Sequence, residues 1–360
     1  MAELGAGLRG RKVLVTGASG FIGRRLVAAL CAAGAEVTAL GRTRQGATVL
    51  GPQVRFVRGS LADPGIVASA VADHEVIFNL AYDFRQSAAA NVANLEGLVQ
   101  AAEAEGRARI IHTSSIVVYD DWPAGKLTEA STLVRQDGSP YRRAKIAMEA
   151  RLMAGRLPAA ILQPTIVWGP GSSLWTDGFA EALLAGGVVL PEPEGLCQGV
   201  YVEDVVQACL RAATLPDLGR ERFIINGLQP FAWSALIGGY SAILGRGKVQ
   251  FAPAATLAPA LPHGQEPDSD ADDHPSVAAR ISALGRRVLG HARFEALVRT
   301  VRRRLSRGKE MRPDAHLYEL MVARGDCPPD MARARLGYLP DYDLAKGLAA
   351  CRDHLQRMAG

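Results

Sequence analysis

Between Arg11 and Val167, short apolar runs alternate with segments whose apolar residues recur every three or four positions. The runs at 12–16, 36–40, 54–58, 76–80, 110–113 and 159–162 read as buried strands, and 22–33 and 92–105 carry helical spacing. The second helix is expected to stop at Gly106, the usual residue just past a helix end. Short buried strands separated by helical crossovers are the signature of a parallel sheet covered on both faces. The expected fold is therefore α/β, with a Rossmann-like doubly wound parallel sheet whose strand order the pattern leaves open.

After Val167 this rhythm gives way to loops around Gly169, Pro170 and Gly171, then Pro191, Pro193 and Gly195. Repeated prolines and an acidic run at 268–273 mark 252–275 as a surface linker or loop. From 277 to 305, Ile281, Leu284, Val288, Val298, Val301 and Leu305 fall at helical spacing with arginines between them, predicting an amphipathic helix.

At 360 residues the chain suits two globular units, and 48% hydrophobic with 21% charged residues excludes disorder, collagen-like repeats and a long coiled coil. Its longest mainly apolar stretches, such as 27–35, are too short to span a membrane, and no leader pattern opens the chain. Five scattered cysteines without a CxxC pair suggest neither a disulfide framework nor a zinc site, so a reducing cytoplasm is expected. The seven histidines show no ligand spacing, and no metal is expected. Net charge is +5, but 280–312 holds eleven Lys or Arg against only Glu295 and Glu310. The basicity thus belongs to one segment. We read it as a packed helix with a solvated arginine face; peripheral contact with an anionic membrane or an acidic partner is the alternative. Nucleic-acid binding is not expected, because the segment lacks a recognisable motif and stacking aromatics.

Directly after the first strand stands Thr16-Gly17-Ala18-Ser19-Gly20-Phe21-Ile22-Gly23. Glycines at 17, 20 and 23 permit a tight turn, close backbone approach to a diphosphate, and close packing of helix on strand. The helix N-terminus adds N–H groups and a positive dipole end. A tight strand-to-helix turn without a ligand is the plainer alternative. The second strand ends in Leu40-Gly41-Arg42-Thr43-Arg44, with no carboxylate for ribose hydroxyls but two guanidinium groups able to bond a 2′-phosphate. This favours NADP(H), with NAD(H) as the alternative, unless both arginines are simply solvated.

The strand at 110–113 leads into Ser114 and Ser115, and further along come Tyr141 and Lys145. Four residues apart on a helix, these two share a face, and the ammonium is expected to lower the phenol from its usual value near 10. Tyr141 would then serve as acid or base, with the Ser115 hydroxyl fixing a substrate oxygen beside it. Taken alone, such a pair is equally a surface helix with an aromatic anchor.

Taken in this order, the motifs resemble the extended short-chain dehydrogenase/reductases, the NAD-dependent epimerase/dehydratase group. Gly17, Gly20 and Gly23 match the family's phosphate turn, and Asn79-Leu80-Ala81 resembles its fourth-strand motif, with Asn79 where His is usual. Asn91-Val92 matches the start of the next helix, and Ser115, Tyr141 and Lys145 match the catalytic triad. The stretch from Pro164 to Pro170 resembles the turn beside the nicotinamide. Tyr201-Val202-Glu203-Asp204 resembles the head of a substrate-domain helix, and Leu336-Gly337-Tyr338 with 344–348 the C-terminal ending.

The resemblance implies cofactor contacts from Gly17, Ser19, Gly20, Phe21, Ile22, Gly23, Arg42, Leu61, Leu80, Ala81, Tyr141, Lys145 and Pro164. It implies an NAD(P)-binding domain of 1–167 with segments near 199–226 returning to it. A smaller, mainly helical C-terminal substrate lobe would comprise 168–198 and 227–360, with an atypical insert at about 251–330. The substrate pocket is expected at the C-terminal strand ends between the lobes, lined by Tyr82, Phe84, Ser114, Ser115, Trp168, Ser172, Trp175 and Thr176, although core packing explains the aromatics equally well.

Several positions depart from the family. Ser60 stands where an adenine-contacting Asp is usual, with Asp63 a weak substitute; Ile166 replaces an Asn, and Cys197 a diphosphate-gripping Arg. Ile116 and Val117 occupy the place of the Asp-Glu pair of 4,6-dehydratases, which argues against dehydration. The expected activity is hydride transfer at a secondary alcohol or ketone carbon of a sugar-like small molecule, which could be nucleotide-linked. A nucleotide-sugar epimerase with tightly bound NAD and a non-catalytic cofactor-binding subunit are the alternatives. The resemblance also implies a homodimer.

Overall fold

The computed structural model describes residues 4–119, 125–133, 139–258 and 308–360, apart from the side chains of Arg44 and Gln45. The amphipathic helix expected at 277–305 and most of the basic segment lie outside the described residues, as does the larger part of the expected loop at 252–275. By internal packing the chain divides into two compact units. The first comprises Met1–Gly169, Gln198–Pro230 and Arg324–Gly347; the second comprises Pro170–Cys197, Phe231–Ala323 and Leu348–Gly360.

A seven-stranded parallel sheet forms the first unit. Its strands β1 (Lys12–Thr16), β2 (Glu36–Gly41), β3 (Arg55–Arg58), β4 (Val76–Asn79), β5 (Arg109–Thr113) and β6 (Ala159–Pro164) are joined by the edge strand Arg220–Ile225, in the order Arg220–Ile225, β6, β5, β4, β1, β2, β3. All neighbouring pairs are parallel. Alternation along each strand explains why the runs are apolar throughout. Val13 and Val15 of β1 face one hydrophobic cluster with Leu26 and Leu30, while Leu14 between them faces another with Val67, Leu95, Leu98 and Met148. The same switch recurs in β4, where Val76 and Phe78 face the first cluster and Ile77 the second. Both faces are thus covered, by α1 (Phe21–Ala32) and the helix Val202–Thr214 on one side and by α3 (Pro64–Val71), α4 (Ala88–Glu105) and α5 (Pro140–Met153) on the other. Strand order reverses between β1 and β4, and in open α/β sheets that reversal opens a crevice at the carboxyl ends of the strands.

One boundary differs from expectation. The segment Arg324–Gly347, assigned from sequence to the smaller lobe, packs within the first unit. Its Tyr338 is completely buried with its hydroxyl donated to Asn226 O, and Arg335 pairs with Glu221 and Asp217. The motif beginning at Tyr201 heads a helix of the first unit, which packs on α1.

Among its described residues the second unit is mainly helical, as expected, and it also carries a small sheet that the sequence did not announce. It holds a three-stranded parallel sheet, with Gly187–Glu192 between Lys248–Pro253 and Glu310–Met311. Helices Asp177–Ala185 and Trp233–Leu244 pack together, with Trp175, Phe179 and Trp233 forming an aromatic cluster.

Candidate active site

At the carboxyl ends of β1, β2 and β4 lies a cleft of about 310 Å³, lined among others by Gly17, Ser19, Gly20, Arg42, Leu61, Leu80 and Ala81. Two glycines make it. Gly17 has φ +69°, and a Cβ there would stand 2.7 Å from the carbonyl carbon of Leu80, so the end of β1 closes directly on the end of β4. A Cβ on Gly23 would stand 2.1 Å from Gly17 O, so α1 sits on the turn with no space for a side chain. The N-termini of α3, α4 and α5 are capped by the side chains of Asp63, Ser87 and Ser139, and that of α2 (Arg44–Leu50) by Thr43. By contrast α1 opens at Gly20 without a side-chain cap. Its first N–H groups are left to a ligand, and a helix N-terminus favours an anionic one. The cradle therefore fits a dinucleotide diphosphate. Of the other positions the resemblance implied, Phe21 and Ile22 begin α1 and Pro164 ends β6.

The other walls of the cleft were less legible. Asp63 caps α3 through Gly65 N and Ile66 N, and the Ser60 hydroxyl accepts from Ala62 N, so both serve local turns. Arg42 Nη1 donates to Asp83 Oδ2 at 2.5 Å, and Asp83 also accepts from Arg85 Nε at 2.9 Å. Burial opposes ionisation of Asp83, but hydrogen bonds from Arg85 and Arg42 outweigh it and hold the carboxyl down at about 2. The Arg44 side chain lies outside the described residues.

Tyr82 lines the cleft and also meets the predicted catalytic residues, which α5 and the end of β5 bring together. Ser139 caps α5 through Arg142 N, Pro140 begins it, and Tyr141, Lys145 and Glu149 then follow one turn apart along one side. The Ser115 hydroxyl hydrogen-bonds the Tyr141 phenol. Tyr82 meets the Tyr141 ring edge-on with centroids 4.9 Å apart, and Phe84, 77% exposed, stacks on it at 5.3 Å.

Lys145 corrects the expected electrostatics. Its Nζ donates to Thr113 O at 2.7 Å and lies over the faces of the Tyr82 and Tyr141 rings, 5.2 and 5.7 Å from their centroids. The ammonium is thus aimed at a strand-end carbonyl and ring faces. Burial therefore dominates at the phenol, and despite the Ser115 hydrogen bond it pushes Tyr141 up to about 12, the opposite of the depression expected from spacing. Burial also pulls Lys145 down to about 8, against the attraction of Glu149.

Glu149 was not anticipated. Completely buried, it accepts from Ser114 Oγ at 2.5 Å, Gln163 Nε2 at 3.0 Å and Arg222 Nε at 2.7 Å. Ser114, expected to touch substrate, is accordingly buried with its hydroxyl committed to Glu149. A second buried chain runs from Thr16 Oγ1 to Asn79 Oδ1 at 2.6 Å and from Asn79 Nδ2 to His112 Nδ1 at 3.0 Å. Burial, then the nearby Lys145, hold His112 far below its ordinary value, so it stays neutral. Among the other expected substrate contacts, Trp168, Ser172 and Thr176 are buried and Trp175 is half-buried, as core packing would place them. Ile116 is buried beside Ser115, and Cys197 is completely buried. Among the described residues no cluster of His, Cys, Asp or Glu could hold a metal ion, and no helix is long and apolar enough to cross a membrane.

Comparison with known proteins agrees with this geometry. The chain is 29% identical over 259 residues to a 2-alkyl-3-oxoalkanoate reductase of Stenotrophomonas maltophilia, covering 66% of this chain and 77% of the relative. It is 32% identical over 243 residues to a UDP-glucose 4-epimerase of Mycolicibacterium smegmatis, covering 60% and 77%. The dTDP-glucose 4,6-dehydratase of Bacillus anthracis, solved in complex with NAD, shares the fold at a TM-score of 0.67 and 15% identity, over 96% of each chain. These relatives are a reductase, an epimerase and a dehydratase, and this chain is an enzyme of the general NAD(P)-dependent oxidoreductase and epimerase kind. The model of the NAD-dependent epimerase/dehydratase family matches residues 13–226, more than half of the sequence, and the chain belongs to that family, within the extended short-chain dehydrogenase/reductases.

Proposed function

We propose that the protein is a ketoreductase that uses NADP(H) at a secondary carbon, with Tyr141 as the proton donor. A single observation carries this reading: the Tyr141 ring is packed among Tyr82, Phe84 and Lys145, and Tyr82 also lines the dinucleotide cleft. The glycine turn and the open end of α1 hold the diphosphate, and the reduced nicotinamide supplies the hydride. Tyr141 remains protonated throughout the neutral range, as a donor to a developing alkoxide must. Ser115 orients the ketone oxygen toward it. Lys145, fixed to Thr113 O, holds the phenol's surroundings through its ring-face contacts and supplies positive charge nearby as oxyanion character develops.

Two further features bear on substrate. An exposed Phe84 stacked against Tyr141 offers an apolar platform, and Cys197, buried where relatives of the nucleotide-sugar type place a guanidinium, contributes no phosphate contact. These features favour a ketone with an apolar body over a nucleotide-linked sugar. A 3-oxoalkanoate, the substrate type named for the reductase of S. maltophilia, is the leading class. The test is nicotinamide turnover with purified protein on 3-oxoesters, cyclic ketones and keto-sugars. Oxidation of NADPH by the first two and a loss of about 10²–10⁴-fold in kcat for Tyr141→Phe, with nucleotide binding retained, are the expected results. Retained NAD with interconversion of a nucleotide sugar and no net NADPH oxidation would replace this reading by epimerisation.

A further inference from the structure

The cleft contains an ion pair that the diphosphate cradle does not require. In the sheet, β2 and β4 flank β1, whose carboxyl end begins the glycine turn. Arg42 follows directly on β2 and Asp83 lies just beyond β4, yet their side chains meet at 2.5 Å, so the pair bridges the two neighbours of β1 at the cleft. Asp83 is held firmly. Its N–H donates to Asn91 Oδ1 at 2.8 Å, and Asn91 Nδ2 returns to Asp83 O and Ser87 O, both at 3.0 Å. Arg85 grips the carboxylate through its backbone N–H at 3.1 Å and its Nε at 2.9 Å. Arg42 is the more exposed partner and sits where the second strand presents its residues to an adenosine ribose.

We propose that Asp83 is a selectivity residue for the nucleotide, its fixed carboxylate competing with a ribose 2′-phosphate for the Arg42 guanidinium. This rests on the dinucleotide reading of the cleft and adds what the second-strand arginine alone does not say. A 2′-phosphate must take over an arginine already satisfied by a carboxylate, whereas a ribose bearing only hydroxyls leaves the pair intact. Discrimination in favour of NADP(H) is thereby held below what Arg42 would give by itself. Because Asn91 and Arg85 fix Asp83 and not Arg42, the guanidinium is the mobile partner that would change hands.

Equilibrium dissociation constants for NADP⁺ and NAD⁺, measured on the whole protein by calorimetry, test this without reference to turnover. Asp83→Asn keeps the size and the acceptor for Arg85 N–H while removing the charge. It is expected to tighten NADP⁺ by about tenfold and to change NAD⁺ by less than about twofold. In an Arg42→Ala background the same change should do nothing, because the contested group is gone. Asp83→Ser serves as a second variant, and NAD⁺ binding reports in each case that the cleft is intact. Unchanged or weakened NADP⁺ binding in both variants, an equal gain for NAD⁺, or a gain that survives Arg42→Ala overturns the competition. If the unaltered protein bound neither nucleotide, the dinucleotide reading itself would fall, a result distinct from binding of both without response to position 83.

Discussion

At the glycine turn the chain removes side chains until backbone N–H groups face the cleft; along α5 it adds side chains until nearly every buried polar atom has a partner. The end proposed to hold the phosphates is a shape, set by the lack of a Cβ at Gly17 and Gly23 and by a helix left uncapped at Gly20. The end proposed to transfer the proton is a network: Lys145 with Thr113, and Glu149 with Ser114, Gln163 and Arg222, beside Tyr141. A shape tolerates no added atom, whereas a network tolerates none removed. The two ends should therefore fail in different ways when altered.

The sharpest way to break the first end is Gly23→Ala. Its methyl group would lie 2.1 Å from Gly17 O, far inside contact distance and against backbone that cannot rotate away. Overpacking of this kind typically costs about 1–3 kcal/mol and here displaces the turn itself. If that cost falls on the nucleotide complex, affinity should drop by about 5- to 150-fold, since 1.4 kcal/mol is tenfold in binding. Calorimetric titration checks this, and near-normal affinity would show that α1 is not what shapes the cradle.

The second end is best broken at Glu149. Glu149→Ala leaves the Arg222 guanidinium, the Ser114 hydroxyl and the Gln163 amide without their shared acceptor in the interior. Removing one member of a buried ion pair costs about 3–5 kcal/mol. Denaturant unfolding should show that loss, with Glu149→Gln intermediate because it keeps the volume and one acceptor oxygen. Equal stability of Glu149→Ala and the unaltered protein would mean that water replaces the carboxylate.

The contrast also explains what could be read without coordinates. Glycine spacing, strand runs and the Tyr141–Lys145 interval are local, and β1, β2, β5 and α1 fall within a residue or two of their predicted limits. The sheet built on Gly187–Glu192 escaped notice because Glu310–Met311, a two-residue strand far along the chain, carries almost no pattern of its own. Glu149 lay in plain view on α5, but its partner Arg222 comes 73 residues later, and only folding reveals that a charged residue mid-helix is buried. Asp83 was passed over for the same reason, since Arg42 precedes it by 41 residues. The error over Tyr141 is of another sort. Helical spacing put the ammonium on the right face, and only the rotamer that delivers it to Thr113 O decides that burial governs the phenol.

That last point gives a prediction specific to the end of the site proposed to transfer the proton. Lys145 loses its proton at about 8 in the folded protein against about 10.4 unfolded, so between these values the unfolded chain holds one proton more and stability rises with pH. Tyr141 keeps its proton to about 12 when folded and loses it near 10 when unfolded, so above about 10 the folded chain holds the extra proton and stability falls. Unfolding midpoints in urea from pH 7 to 12 should therefore climb and then turn down. Lys145→Met should flatten the rising limb and Tyr141→Phe the falling one, each leaving the other limb in place. Neither substitution should alter the response of the glycine turn, which has no titrating side chain, so diphosphate affinity measured on Tyr141→Phe should follow pH as it does in the unaltered protein. A falling limb that begins below pH 9, or one that survives Tyr141→Phe, would show that the phenol is not held protonated by its burial and would return the site to the ammonium-activated tyrosine expected from spacing alone.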